Sequence, residues 1–245
     1  MMTILEKMLG RTRVLINENE RALHLYKGEI RGILTPGEHM LSSRRGNLEI
    51  ERHNLVRPEL VSDYEKALFD KLPHVASEHL TVAETTAGEV AVIEREGRVF
   101  TVLGPDQHMV LWTVAGPFEV TKIDVSDAPA VAPKLYRRLA QAGAVQHVSA
   151  IAVADGWANI LFVDGELKAK LGPGVHAFWT PGRDVEPKPV ELKRKSLEVT
   201  GQELLTRDRV TIRINLAAEY RVTDPVKAVT EVKDFAEALY RALQY

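Results

Sequence analysis

The chain has 245 residues, 45% hydrophobic and 27% charged, which suits two or three folded modules and excludes wholesale disorder. A formal net charge of −2 supplies no concentrated basic surface, so nucleic acid is not an expected partner. With no cysteine, disulfides, thiolate catalysis and cysteine-ligated zinc are excluded.

Residues 1–13 open with Ile4, Leu5, Met8 and Leu9 on one helical face, followed by Arg11 and Arg13. The spacing predicts a terminal helix that packs on a neighbouring module or subunit, with a membrane-surface anchor as the alternative. No segment reaches the roughly 18 to 20 apolar residues needed to span a bilayer, and no secretory segment is read at the start.

From residue 23 onward one grammar is written three times. Leu23–Ile30 leads to Ile33-Leu34-Thr35-Pro36-Gly37-Glu38-His39, Val92–Val99 to Val102-Leu103-Gly104-Pro105-Asp106-Gln107-His108, and Ile160–Leu167 to Lys170-Leu171-Gly172-Pro173-Gly174-Val175-His176. Gly28, Gly97 and Gly165 recur at steps of 69 and 68 residues, and so do His39, His108 and His176. Each apolar run is rich in strand-forming residues and ends at Lys-Gly, Glu-Gly or Asp-Gly, where glycine can take the positive φ of a hairpin turn. Pro36, Pro105 and Pro173 then end each second strand. Third strands are expected at Leu48–Glu51, Phe118–Thr121 and Val190–Lys193.

Helices follow the first two units. Ser62-Asp63-Tyr64-Glu65 reads as a capping box before a helix with Tyr64, Ala67, Leu68 and Leu72 on one face. Lys134–Leu139 occupies the equivalent place. A strand at His79-Leu80 and at His147-Val148 closes each unit, giving the order strand, strand, strand, helix, strand. The fold class is therefore α+β and β-rich, with three tandem β-hairpin modules of about 68 residues. The boundaries read as 1–13, 14–80, 81–148 and 149–245. Farther on, Val210, Ile212, Ile214 and Leu216 alternate with polar residues as a half-buried strand. Asp224-Pro225 starts one helix and Asp234-Phe235-Ala236-Glu237 another, with Phe235, Leu239 and Leu243 on one face.

The third unit resembles a known family. Gly165, Leu171-Gly172-Pro173-Gly174, the run Val199–Asp208, Val210–Ile214, Ala218–Val222, Asp224-Pro225 and Ala228-Val229 are similar to the opening half of a stomatin/prohibitin/flotillin (SPFH, band 7) domain of the slipin branch. The resemblance spans residues 160–244 and extends weakly to Glu18–Ala22. It implies a non-enzymatic scaffold that self-assembles and organises membrane or membrane-protein complexes. Slipins carry an apolar insertion before this domain and a coiled-coil region after it. This sequence shows neither and reads as stopping inside a helix at Leu243-Gln244-Tyr245.

The three turn histidines read as closing their own turns by local hydrogen bonds rather than as a shared metal site, and His74 with His79 is off a helical ligand spacing. No nucleophile–base pair, zinc motif or phosphate loop is written; Ser149 and Asp155 are near each other in sequence, but Asp155-Gly156 reads as a turn. No cofactor, metal or catalytic residue is expected. The charges of Lys188, Lys193, Arg194 and Lys195 read as a strand's solvated side, with an anionic lipid surface as the alternative. Phe235, Leu239 and Leu243 are the assembly candidates. The expected partners are further copies of the chain and a membrane or membrane protein, at a cytoplasmic or peripheral cytoplasmic-face location. The rival reading is a soluble β-repeat module that binds a peptide or small ligand.

Overall fold

Three dipeptides organise the chain. In a computed structural model describing residues 10–42 and 47–244, Lys27-Gly28 has φ of 55° and 72°, Glu96-Gly97 of 52° and 76°, and Asp164-Gly165 of 52° and 80°. Two successive positive φ values define the hairpin turn whose twist matches the strands it joins. The turns connect β2 (Glu20–Tyr26) to β3 (Glu29–Leu34), β7 (Glu89–Arg95) to β8 (Arg98–Leu103), and β12 (Trp157–Val163) to β13 (Glu166–Leu171). Each hairpin has a register shift at the same place, leaving Arg31, Phe100 and Lys168 as the extra residues.

A third strand lies on the other side of each first strand: β5 (Leu48–Asn54), β10 (Phe118–Asp124) and β15 (Val185–Glu191). Central position makes the middle strand the buried one. Ala22, Leu23 and Leu25 are buried in β2, Val90 through Ile93 in β7, and Ala158, Ile160, Leu161 and Val163 in β12. Three two-stranded sheets accompany these: β1 (Arg11–Ile16) with β4 (Gly37–Ser42), β6 (Leu80–Glu84) with β9 (His108–Trp112), and β11 (Val148–Val153) with β14 (Gly174–Trp179).

This pairing revises the expected order within a unit. The strands at Leu80 and Val148 pair with the fourth strand of the next unit, so they open that unit rather than close the previous one. β1 holds the same place in the first unit. The helix expected over 1–13 lies outside the described residues up to Leu9, and its last part, Arg11–Arg13, belongs to β1. There Val14 and Ile16 are buried while Arg11, Arg13 and Leu15 are exposed, the period-2 pattern of a strand. β15 also departs from expectation, ending at Glu191 instead of spanning Val190–Lys193. Pro187 and Pro189 sit inside it, which an edge strand tolerates.

The helical connections differ too. The first is broken at Leu72, the residue before Pro73, into α1 (Glu65–Lys71) and α2 (Pro73–His79). The capping box does not form. Ser62 Oγ accepts from Tyr64 N at 3.1 Å and donates to Glu51 Oε2 at 3.0 Å, and the helix starts later, at Glu65. The second connection is α3 (Pro133–Ala142), closed by Gly143 at φ 69°.

The chain divides between Asp124 and Val125 into two compact units. In the first, Leu23, Leu25, Leu68, Ala76, Leu80, Val110 and Trp112 form one apolar core that takes residues from two successive hairpin modules and from the helices between them. In the second, Ile151, Val153, Leu161, Val163, Leu171 and Phe178 form the core of the third module. After β15 no helix follows. The chain instead makes a long hairpin, β16 (Lys195–Leu205) and β17 (Thr211–Tyr220), then α4 (Pro225–Thr230) and α5 (Phe235–Gln244). Asp224 accepts from Val226 N and Lys227 N at 3.1 and 3.2 Å, and Asp234 from Ala236 N and Glu237 N at 2.9 and 3.0 Å, so both aspartates cap their helices.

Candidate assembly surface

The turn histidines do not share one role. His39 Nε2 lies 2.7 Å from the Thr35 carbonyl and His176 Nε2 lies 2.8 Å from the Gly172 carbonyl, each across its own Pro turn. Gly37 and Gly174 in those turns have φ of 128° and 132°. His108 departs from this pattern: its Nε2 meets Glu65 Oε1 at 2.9 Å, and Gln107 Oε1 takes over the turn by accepting from Gly104 N at 3.0 Å. The middle turn is Pro105-Asp106, with Asp106 rather than glycine at positive φ. Among the described residues no three histidine or acidic side chains gather as a metal site. His74 and His79 both lie on α2.

Glu65, expected to close a capping box, and His108 instead line a cleft of about 500 Å³ in the first unit, together with Glu51, Glu59, Ser62 and Tyr64. Glu51 Oε1 is 3.1 Å from His53 Nε2, and the His53 ring lies 5.5 Å from that of Trp112. Burial holds the His53 imidazole below its ordinary range, and Glu51 pulls the other way.

An open apolar surface lies on the β16–β17 hairpin. Cross-strand partners point to the same side, so one face carries Leu197 opposite Ala218, Val199 opposite Leu216, Gln202 opposite Ile214 and Leu204 opposite Ile212. Only Val199 of these is buried; Leu204 is 51% exposed, Leu216 42% and Ile212 40%. The half-buried strand expected at 210–216 is thus alternating but open. The other face bears Glu198, Glu203, Arg213 and Glu219. The assembly candidates Phe235, Leu239 and Leu243 are half-buried on α5, which packs against β16. Sequence reading singled out that helix and missed the hairpin, because alternation predicts one buried face without saying what buries it.

Three of the cations of 188–195 are engaged locally. Lys188 Nζ sits 4.6 Å over the Phe162 ring, Lys195 Nζ is 2.8 Å from Glu191, and Arg194 is 3.6 Å from Glu219.

Comparison with known proteins adds the family. Residues 152–244 match the SPFH domain / Band 7 family. A stomatin homolog of Pyrococcus horikoshii is 37% identical over 79 residues, 32% of this chain and 29% of that protein. An uncharacterised protein of Archaeoglobus fulgidus is 38% identical over 86 residues, 35% of this chain and 34% of that protein. Stomatin-3 of Caenorhabditis elegans is 45% identical over 47 residues, 19% of this chain and 18% of that protein. The chain thus spans about a third or less of the length of these three relatives. No solved structure matches. On the residues from the third module through α5, the chain carries a segment of the SPFH/band 7 superfamily.

Proposed function

We propose that the chain is a slipin-like SPFH scaffold that self-associates through its second unit and organises a membrane or a membrane-protein complex. The observation that carries this reading is the open apolar face of β16–β17, which falls within the family-matched segment. An apolar patch on a long ribbon calls for a partner surface, and copies of one chain supply it by closed symmetry. α5 adds the stripe of Phe235, Leu239 and Leu243 beside it. We place the proposed attachment at the cytoplasmic face of a membrane, as the family resemblance suggests; no helix of the described residues is long and apolar enough to cross a membrane.

Light scattering across a concentration series, with flotation on anionic liposomes, tests the scaffold. The mass should rise with concentration. Leu239→Asp with Leu243→Asp should lower it, because a charge in an apolar contact is costly unless paired, while circular dichroism stays unchanged. A folded monomer at high concentration that binds neither membrane nor protein would favour the second reading, a β-repeat binding module. The cleft of Glu51, Glu59, Ser62, Glu65 and His108 supports that alternative.

A further inference from the structure

We infer that the outer edge of β17 pairs with β17 of a second copy, antiparallel and centred on Leu216, to make a four-stranded sheet. The inference rests on the scaffold reading and specifies its contact.

Among the described residues β17 has one strand neighbour, β16, so one of its edges carries unpaired main-chain groups. A long exposed edge of this kind is a template for another strand. The two edges of the hairpin are unequal. β16 is interrupted by a bulge between Val199 and Gln202, with Gly201 at φ 73°. A bulge is one of the usual protections of an edge. β17 is continuous in register from Thr211 to Tyr220 apart from facing that bulge.

Its outward main-chain groups follow from the turn. Thr206 N donates to Val210 O at 2.9 Å, so the main chain of residue 210 faces β16. Alternation then points 212, 214, 216 and 218 inward as well, and 211, 213, 215, 217 and 219 outward.

Charge sets the register. A two-fold pairing must keep the apolar faces of the copies on one side, so the axis must pass through a residue rather than between two. Centring on Leu216 places Arg213 opposite the partner's Glu219, and Glu219 opposite the partner's Arg213. It also sets Ile212 against the partner's Tyr220, Ile214 against the partner's Ala218, and Leu216 against itself. Centring one residue earlier sets Arg213 against alanine; one residue later sets it against Arg221. Of these neighbouring registers only the Leu216 one places opposite charges together twice. Glu219 has a single exposed ion pair at 3.6 Å with Arg194, which a directly opposed arginine can replace. The outward groups of 215 and 217 then bond reciprocally, leaving Leu216 in a non-hydrogen-bonded pair, where side chains approach most closely.

The test is a charge swap on the whole chain, read by sedimentation and light scattering. Arg213→Glu and Glu219→Arg, each alone, should weaken dimerisation roughly tenfold or more. The double variant Arg213→Glu/Glu219→Arg should restore it. Because the chain has no cysteine, Leu216→Cys should give a covalent dimer under mild oxidation, and Thr211→Cys, far from the axis, should not. Circular dichroism shows that each variant is folded. Folded single variants that dimerise like wild type, a double variant that stays weak, or a Leu216→Cys chain that does not cross-link would each overturn the register. In those cases a wild type that still self-associates leaves the scaffold reading standing. A wild type that is monomeric at every concentration overturns both.

Discussion

Strand β7 presents Val90, Ala91, Val92 and Ile93 with all four buried, whereas β17 presents Ile212, Ile214, Leu216 and Ala218 with none buried. Both strands are rich in residues that prefer a pleated surface. They differ in company. β7 lies between β8 and β10, in one core cluster with Ala83 and Leu111, while β17 has β16 on one side, and of the apolar face the hairpin shares only Val199 on β16 is buried. Apolar residues in a strand therefore state that a face is to be covered; the covering layer is written elsewhere, in the same chain for β7 and, as proposed above, in another copy for β17.

The comparison breaks if the two strands prove equally important to stability. Ile93→Ala should cost about 2 to 5 kcal/mol, as truncation in a closed core does. Ile212→Ala should cost less than about 1 kcal/mol at concentrations where the chain is monomeric. Urea unfolding of each variant measures the difference. A loss at Ile212 as large as that at Ile93 would mean that β17 is packed in solution.

The next effect sharpens the contrast between turns. Gly97→Ala and Gly165→Ala should each cost roughly 1 to 2 kcal/mol, because alanine resists the left-handed conformation those turns require. Gly172→Ala should change stability by less than about 0.5 kcal/mol, since that glycine is outside the left-handed region and has open space around it. Thermal unfolding of the three variants ranks them.

Acid gives the smallest effect. His53 and His24 in the first unit are both held below their ordinary value of 6.5, chiefly by burial, and His147 in the second is lowered by burial alone. An unfolded chain therefore binds more protons than the folded one below that value. Stability should fall as pH drops through 6.5 and level off beneath the depressed folded values. His53→Gln should flatten part of that decline in the urea midpoint between pH 7.5 and 5.5. An unchanged slope would show that His53 takes up its proton equally in the folded and unfolded chains.

Much of this fold was legible because the same local chemistry recurs. Gly28, Gly97 and Gly165 announce hairpins on their own, since the turn conformation lies within two residues. Asp224 and Asp234 announce helix starts for the same reason. What failed were assignments that depend on distant partners. The strand at Leu80 reads identically whether it closes one unit or opens the next, and only its ladder with β9 decides. Ser62 and Glu65 have capping-box spacing, yet Glu51 and His108, brought in from other strands, draw their side chains away. His108 likewise has the position of His39 and His176 without their bond. The assembly face was the least legible, because exposure of Ile212 and Leu216 is a property of what is missing around them.

The ladders of each module join residues that are near in sequence. In the first, no paired residues lie farther apart than Glu20 and Asn54, and β1 finds β4 as soon as the intervening hairpin has turned. Short loops are closed at little entropic cost and quickly. Each sheet can therefore form while the chain is still being made, one module after another behind the ribosome, with the first waiting for α1, α2, β6 and β9 to complete its core. The edge of β17 follows the three modules in that order, so copies would meet after those modules are already closed, which lowers the risk that strands exchange between half-made neighbours.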